Sequence, residues 1–243
     1  MNIKIIKINN LTEYKPSTSS TLYLTGSRVV ADYLTKENEA VAIELNSEDE
    51  LPLWNGYTYF TINGESFSGH LEKIYCHIKN IPYIVAKCDS FLIREEAYDD
   101  LEQIYALYDD EDCRQYLEPL PPIDSVDKKA RFESVKSGYM LFEYGMWIIE
   151  DTERSEIIGR IGFEYVDDNW VSIGFLIKKN QRKKGIAKKA CLLVIEYIND
   201  VLPGIKITAS CKEGNIASQK VLKSVGIDYS ISQSGNETHL TEI

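Results

Sequence analysis

Short apolar runs alternate with stretches of helical spacing along the chain. TLYLTG, starting at Thr21, is a run of strand-forming residues that stops at Gly26-Ser27. SRVVADYLTKENE then sets Val29, Val30, Tyr33 and Leu34 on one helical face, and AVAIEL returns to a strand, so the order is that of a βαβ unit. After the acidic turn NSEDELP, GYTYFTING alternates like a strand. SFSGHLEKIYCHIKN reads as a helix with Leu71, Ile74 and Ile78 on one face, Ser66 or Ser68 as its cap, and PYIVAKC as the strand that closes the unit. From Phe91 the pattern restarts. FLIR is a strand; Tyr98, Leu101, Ile104, Tyr105 and Leu107 form a helical stripe; EPLPPIDS breaks the helix with three prolines; VDKKARFESVKSGY resumes one. GMWIIED, EIIGRIGFEYVDD and WVSIGFLIKKN alternate as three strands, and a basic turn opens the helix AKKACLLVIEYIND. KITASCK is a strand, and NIASQKVLKSVG is a helix capped by Asn215 and ended by Gly226. IDYSIS with ETHLTEI forms a final hairpin.

Length and composition narrow the class. A chain of 243 residues holds one large domain or two modest ones, and 44% hydrophobic with 27% charged residues is an ordinary globular mixture. There is no long uninterrupted apolar run, and MNIKIIKINN lacks the layout of a signal peptide, so a cytoplasmic protein without membrane partners is expected. Cys76, Cys88, Cys113, Cys191 and Cys211 are odd in number and scattered, which fits neither a disulfide framework nor a metal site and predicts buried, reduced thiols. A net charge of -11 argues against nucleic acid as a partner. Its distribution is uneven. Arg94 to Arg154 holds 17 Asp plus Glu against 7 Lys plus Arg, whereas Lys178 to Lys189 holds seven basic residues and no acid.

That basic stretch carries the chemistry. In IGFLIKKNQRKKGIAKKA a strand runs through a tight turn into a helix, and backbone N–H groups at a helix N-terminus form an anion site that the helix dipole reinforces. Gly185 removes a side chain where a phosphate must come close, and Ala187 keeps the next point small. Arg182-Lys183-Lys184-Gly185-Ile186-Ala187 matches the (Q/R)xxGx(G/A) pyrophosphate motif of the GNAT superfamily of acetyl-CoA-dependent N-acyltransferases. Asn215-Ile216-Ala217-Ser218, with Leu222 and Val225-Gly226-Ile227, resembles that family's NxxS…L…GF segment. The element order from Phe91 to Ile243 resembles the family too, most of all the subgroup that acetylates ribosomal-protein N-termini.

The resemblance implies an α+β GNAT fold over residues 89–243, a mixed, centrally splayed sheet flanked by helices. It implies acetyl-CoA as co-substrate, a primary amine as acceptor and no metal. Phe175, Leu176 and Ile177 would offer main-chain groups to pantetheine; Arg182 to Ala187 would hold the pyrophosphate; Asn215 and Ser218 would lie along the pantetheine arm. The acceptor's identity, the acyl chain length and the oligomeric state are left open.

Acyl transfer to an amine requires proton removal, oxyanion stabilisation and protonation of the leaving thiolate. The resemblance implies that a backbone N–H at the splayed end of the strand Ile173 to Lys178 would meet the second need. For the others this sequence departs from common family patterns: Ser172 stands where many relatives have Glu, and Leu222 where many have Tyr. The replacement base is Glu164 on the neighbouring strand, against a plain solvent-facing role; the replacement acid is Ser218, against helix capping. Tyr165 and Tyr144 are weaker candidates, and His70, His77 and His239 read as structural. The missing pair also motivates an alternative, a catalytically silent acyl-CoA-binding regulatory module.

Residues 1–88 carry no comparable motif. They read as a small α/β accessory domain that loosely resembles half of a Rossmann-like hydrolase domain without its paired aspartates. Gly26-Ser27 at a strand-to-helix turn suggests a nucleotide-like pocket or a simple helix start. Glu48-Asp49-Glu50 suggests a metal cluster or a solvated turn, and a phosphoryl-transfer role for this domain would need the former.

Overall fold

The structure is a computed structural model that describes residues 3–17, 20–62, 65–66, 71–117 and 120–232. Contacts divide the chain into two units, residues 1–83 and 84–243.

In the first unit, β1 (Lys4–Lys7), β2 (Thr21–Thr25), β3 (Ala40–Leu45) and β4 (Phe60–Ile62) run parallel in that order, and β5 (Glu65–Ser66) adds antiparallel to β4. Helices cover both faces. α1 (Arg28–Lys36) lays Val30, Ala31 and Leu34 against Tyr23, Ile43 and Leu45, while α2 (Leu71–Ile78) lays Ile74, Tyr75 and Cys76 against Leu22, Leu24, Ala40 and Ala42. Burial on both sides is why β2 and β3 read as continuous apolar runs. β1 has no counterpart in the sequence reading, because KIIK on an edge position stays mostly exposed. The acidic turn is a 3-10 helix, Glu48–Trp54, anchored by buried Trp54. Its Glu50 carboxylate is engaged locally, accepting from the Asn46 amide N–H and side chain. Strand order runs 1-2-3-4-5 without the reversal at which a doubly wound sheet binds dinucleotides, so the Rossmann likeness stops at β2–α1–β3. His70, His239 and Ser68 lie outside the described residues; His77 is buried in α2.

The second unit is a seven-stranded sheet in the order β12-β11-β10-β9-β8-β7-β6. Along the chain come β6 (Ile84–Lys87), β7 (Phe91–Arg94), α3 (Leu101–Tyr108), α4 (Glu111–Arg114), α5 (Lys128–Phe142), β8 (Met146–Asp151), β9 (Ile157–Asp167) and β10 (Trp170–Ile177). After them come α6 (Ile186–Val201), β11 (Lys206–Lys212), α7 (Ile216–Ser224) and β12 (Tyr229–Ser232). PYIVAKC therefore does not close the first unit: Ile84–Lys87 pairs with β7, and the expected boundary after residue 88 moves to 83/84. β6 to β10 are antiparallel neighbours, whereas β10–β11 and β11–β12 are parallel. Of the expected final hairpin, IDYSIS supplies β12 and ETHLTEI lies outside the described residues.

One face of this sheet packs on α6, where Trp147 sits edge-on to Phe163 at 6.0 Å and to Tyr197 at 5.4 Å, each pair contributing about 0.5–1.5 kcal/mol beyond area burial. Cys191 lies in that layer, and burial pushes its thiol up to about 12. On the other face Ile104 and Leu107 of α3 meet Ile148, Ile157 and Leu176. Alternation along β10 then puts Ser172, Gly174 and Leu176 on the α3 face.

Candidate cofactor and acyl-transfer site

The ladder between β10 and β11 is short. It holds Trp170↔Lys206, Val171↔Ile207 and Ser172↔Thr208, after which β11 continues against β12 from Ala209 onward. β10 keeps β9 along its whole length. From Ile173 to Ile177, then, the strand is laddered on one edge and splayed from β11 on the other, and Phe175, Leu176 and Ile177 belong to that stretch. A chain lying in the gap would find unladdered N–H and C=O groups, which are obligatory hydrogen-bonding groups. On the α3 face a side chain added at Gly174 would meet nothing within 4 Å. The middle of the split is open there.

Beyond Ile177 the chain makes a 3-10 turn, Lys179–Gln181, then Lys183 and Gly185 take left-handed conformations at φ 62 and φ 78. The φ of Gly185 is why glycine stands there, and it swings the chain into α6 with Ile186 and Ala187 in the first turn. The first N–H groups of that 16-residue helix have no intrahelical acceptor, and no acid occupies its first turn. Lys183, Lys184, Lys188 and Lys189 are exposed around them.

Arg182 is held elsewhere. Its guanidinium pairs with Asp110, reaches Asp112 at 3.7 Å and donates to Ile177 O at 3.0 Å. Lys179 pairs with Asp112 at 2.8 Å, and Lys184 donates to Gln181 Oε1 at 2.7 Å. Burial would raise the Asp110 carboxyl, but the Asp112 amide and the Arg182 guanidinium hold it below the usual range. Arg182 thus fastens the end of β10. The same segment crosses to the far side of the gap, where Lys212 Nζ donates to Gln115 O at 3.0 Å and Tyr116 Oη to Gly214 O at 2.9 Å. Residues 110–116 bridge both lips of the split. Sequence reading missed this strap, although the run DDED was the acidic complement of the basic turn.

Asn215 caps α7, its Oδ1 accepting from Ser218 N at 3.2 Å, so this pair stands together in the first turn with Ser218 half-buried. Leu222 is 2% exposed and packs in the core. Glu164 lies directly across from Ser172 in the β9–β10 register and is exposed.

The family profile described as "Acetyltransferase (GNAT) domain" matches residues 91–228. The chain belongs to the GNAT acetyltransferase family. Two relatives come from Bacillus subtilis (strain 168). "Uncharacterized N-acetyltransferase YjdG" is 32% identical over 85 residues, 34% of this chain and 51% of the relative. "Uncharacterized N-acetyltransferase YnaD" is 28% identical over 137 residues, 56% of this chain and 78% of the relative. The chain thus spans about half the length of the first and over three quarters of the second. Among solved structures, the ribosomal-protein-S5-alanine acetyltransferase from Vibrio fischeri aligns at 16% identity, covering 60% of this chain and 82% of its own, with a TM-score of 0.50. A putative GNAT-family acetyltransferase from Bordetella pertussis aligns at 16% identity, covering 64% and 95%, also at 0.50. At such identities the likeness is one of fold.

Within the GNAT domain the weaker base and acid candidates separate by face. Tyr165 projects opposite to Glu164 and donates to Asp168 at 3.0 Å, a bond that raises its hydroxyl pKa. Tyr144 packs edge-on to Phe163 at 6.3 Å on the α6 side. Next to the α3 face lies a buried ionic knot that the sequence did not reveal. The Glu96 carboxylate accepts from Arg131 and, at 3.4 Å, from Arg160, which stands opposite Leu176. Tyr139 Oη donates to Met146 O at 2.7 Å, and burial pushes its pKa up. Many acids counted in the sequence are committed in this way: Asp100 and Glu150 to Arg94, Asp99 and Glu102 to Lys128, Asp109 to Arg114.

Proposed function

We propose that the protein transfers an acetyl group from acetyl-CoA to a primary amine at the middle of β10. The observation that carries this is the strand that loses its β11 ladder after Ser172, with Gly174 open on one face and, at its end, a helix N-terminus with no acid in its first turn. The residues present fit acetyl-CoA: Lys178 N bonds Ile158 O, so by alternation of the antiparallel ladder Leu176 bonds to β9 while main-chain groups of Phe175 and Ile177 turn to the gap and suit the amides of pantetheine, and the turn from Lys183 to Ala187 suits a diphosphate. Arg182 serves by holding that turn, and the Asn215–Ser218 cap supports the opposite lip. Bound there, acetyl-CoA supplies an acyl group activated as a thioester.

Glu164 is the residue we assign to proton removal. Directly opposed side chains on neighbouring strands have Cβ atoms about 4.5–5.5 Å apart, so a carboxylate at Glu164 commands much of the space that one at Ser172 would. It reaches the amine directly or through water. Ser218 is the group we assign to the sulfur side, as a weak acid. Backbone N–H groups of the splayed stretch stabilise developing negative charge without side-chain help. The cross-strand carboxylate, together with family membership, favours catalysis over silent acyl-CoA binding.

The acceptor is a primary amine of a small molecule or a protein N-terminus, and the acidic balance between Arg94 and Arg154 favours a cationic one. A cavity of about 370 Å³ beside α3, walled by Tyr105, Tyr108, Leu117, Leu120, Pro121 and Ile123, adds apolar contact on that side. The first unit is read as an accessory domain. A thiol-release assay with acetyl-CoA against peptides, polyamines, aminoglycosides and amino acids tests the proposal. Turnover with an amine and none without supports it; stoichiometric CoA binding with no turnover across the panel refutes it.

A further inference from the structure

The strap of residues 110–116 is attached to the two lips of the split by different chemistry. On the β11 side it is held by hydrogen bonds to backbone carbonyls, Lys212 Nζ to Gln115 O at 3.0 Å and Tyr116 Oη to Gly214 O at 2.9 Å. No acid takes part there. On the β10 side the attachment is ionic: Asp110 pairs with Arg182, while Asp112 pairs with Lys179 at 2.8 Å and lies 3.7 Å from Arg182 Nη1. Both carboxylates ride on the start of α4, where Asp110 Oδ1 accepts from Asp112 N at 3.0 Å and Asp110 O from Arg114 N at 3.1 Å.

This ionic end stands where an anionic ligand would arrive. Arg182 adjoins the turn from Lys183 to Ala187, and Lys179 opens the 3-10 turn just before it. Phosphates bound at the turn attract these two cations and repel the two carboxylates, because all of them lie well within a Debye length. The outer pair gives way most readily. Lys179 and Asp112 are 68% and 57% exposed, and exposed ion pairs hold weakly. Asp110, at 11%, is the firmer tie. The bond from Arg182 Nε to Ile177 O, at 3.0 Å, is separate from the Nη contacts to the acids, so β10 keeps its fastening when the acids leave.

We propose that the strap is a latch across the cofactor cleft, in which Asp110 and Asp112 compete with the phosphates of CoA for Arg182 and Lys179. CoA displaces the carboxylates and frees this end of the strap, while the end held by Lys212 and Tyr116 stays attached. The inference rests on the acetyl-CoA reading of the cleft and adds an internal competitor to it: the apparent affinity is the intrinsic one scaled by the fraction of molecules with the latch released.

Calorimetry of CoA binding to the full chain compares the wild type with Asp110→Asn, Asp112→Asn and Glu111→Gln. Glu111 lies between the two acids, so its variant removes the same charge from the same turn and controls for charge alone. The Asn variants are expected to bind CoA at least about threefold more tightly than Glu111→Gln. A permanent strut gives the opposite order, because losing the tie loosens Arg182 and the turn beside it. Hydrogen exchange on the wild type is the second readout, and amides 112–114 are expected to exchange faster with CoA than without it. The latch is overturned if the Asn variants bind no more tightly than Glu111→Gln, or if CoA slows exchange at 112–114 or leaves it unchanged. A wild type that binds CoA alongside either result loses the latch alone; a wild type that does not bind CoA overturns the cofactor reading and the latch with it.

Discussion

The two sheets handle backbone hydrogen bonding differently. In the first unit Leu22, Tyr23 and Leu24 of β2 have ladder partners on β1 and on β3, and both faces are under helices. In the second, β10 is laddered on both edges for three residues and on one edge for the next five. A fully paired strand leaves its chemistry to the loops at its ends. A strand released midway presents main-chain groups along its length, and can hold an extended ligand such as a pantetheine chain.

The sharpest break of this contrast is at the turn that follows the released strand. Gly185→Glu places bulk and negative charge at the anion site and should lower CoA affinity by more than about 100-fold. Gly185→Asn, a residue that tolerates left-handed φ, controls for backbone strain and should retain the fold with a smaller loss. Unchanged CoA affinity in the Glu variant, read by calorimetry, would detach the turn from the cofactor.

Next in size is the carboxylate across from Ser172. Glu164→Gln should reduce kcat by about 10²-fold while CoA affinity stays put, as expected for a general base. Full activity in this variant would return Glu164 to an ordinary solvent-facing role.

A smaller effect concerns where the second sheet begins. A fragment starting at Ile84 keeps β6 on β7 and should fold and bind CoA. One starting at Asp89 leaves β7 as a bare edge and should melt about 5 °C lower. Equal melting temperatures would show that β6 adds nothing to this sheet.

Smallest is the acceptor's charge. With Asp110 and Asp112 paired to Arg182 and Lys179, which lie outside the stretch from Arg94 to Arg154, the field on the acceptor side is weaker than the balance within that stretch suggests. A basic acceptor should beat a matched acidic one in kcat/KM by less than about tenfold at low salt, and the gap should close as salt rises. A salt-independent preference, or none, would remove charge as the basis of selection.

What could be read from the sequence was what is local. The turn from Arg182 to Ala187, the Asn215 cap and the apolar faces of α1, α3 and α6 follow from spacing and residue type, and the family likeness from their order. What could not be read was pairing. An apolar run such as PYIVAKC announces a strand without saying which sheet it joins, and KIIK at an edge shows too little burial to announce itself. The end of the β10–β11 ladder, the register that sets Glu164 opposite Ser172 and the strap that claims Arg182 depend on residues far apart in the chain. The family likeness implied that Arg182 helps to hold the diphosphate; that its guanidinium pairs with Asp110, 72 positions earlier, could not be read from spacing.

Hydrogen exchange on the full chain with and without acetyl-CoA tests the central claim most directly. The account predicts slower exchange at the amides of Phe175 to Ile177 and Lys183 to Lys188 when acetyl-CoA is present, with residues 1–83 unchanged. Protection confined to the first unit, or none along the splayed half of β10, would contradict it.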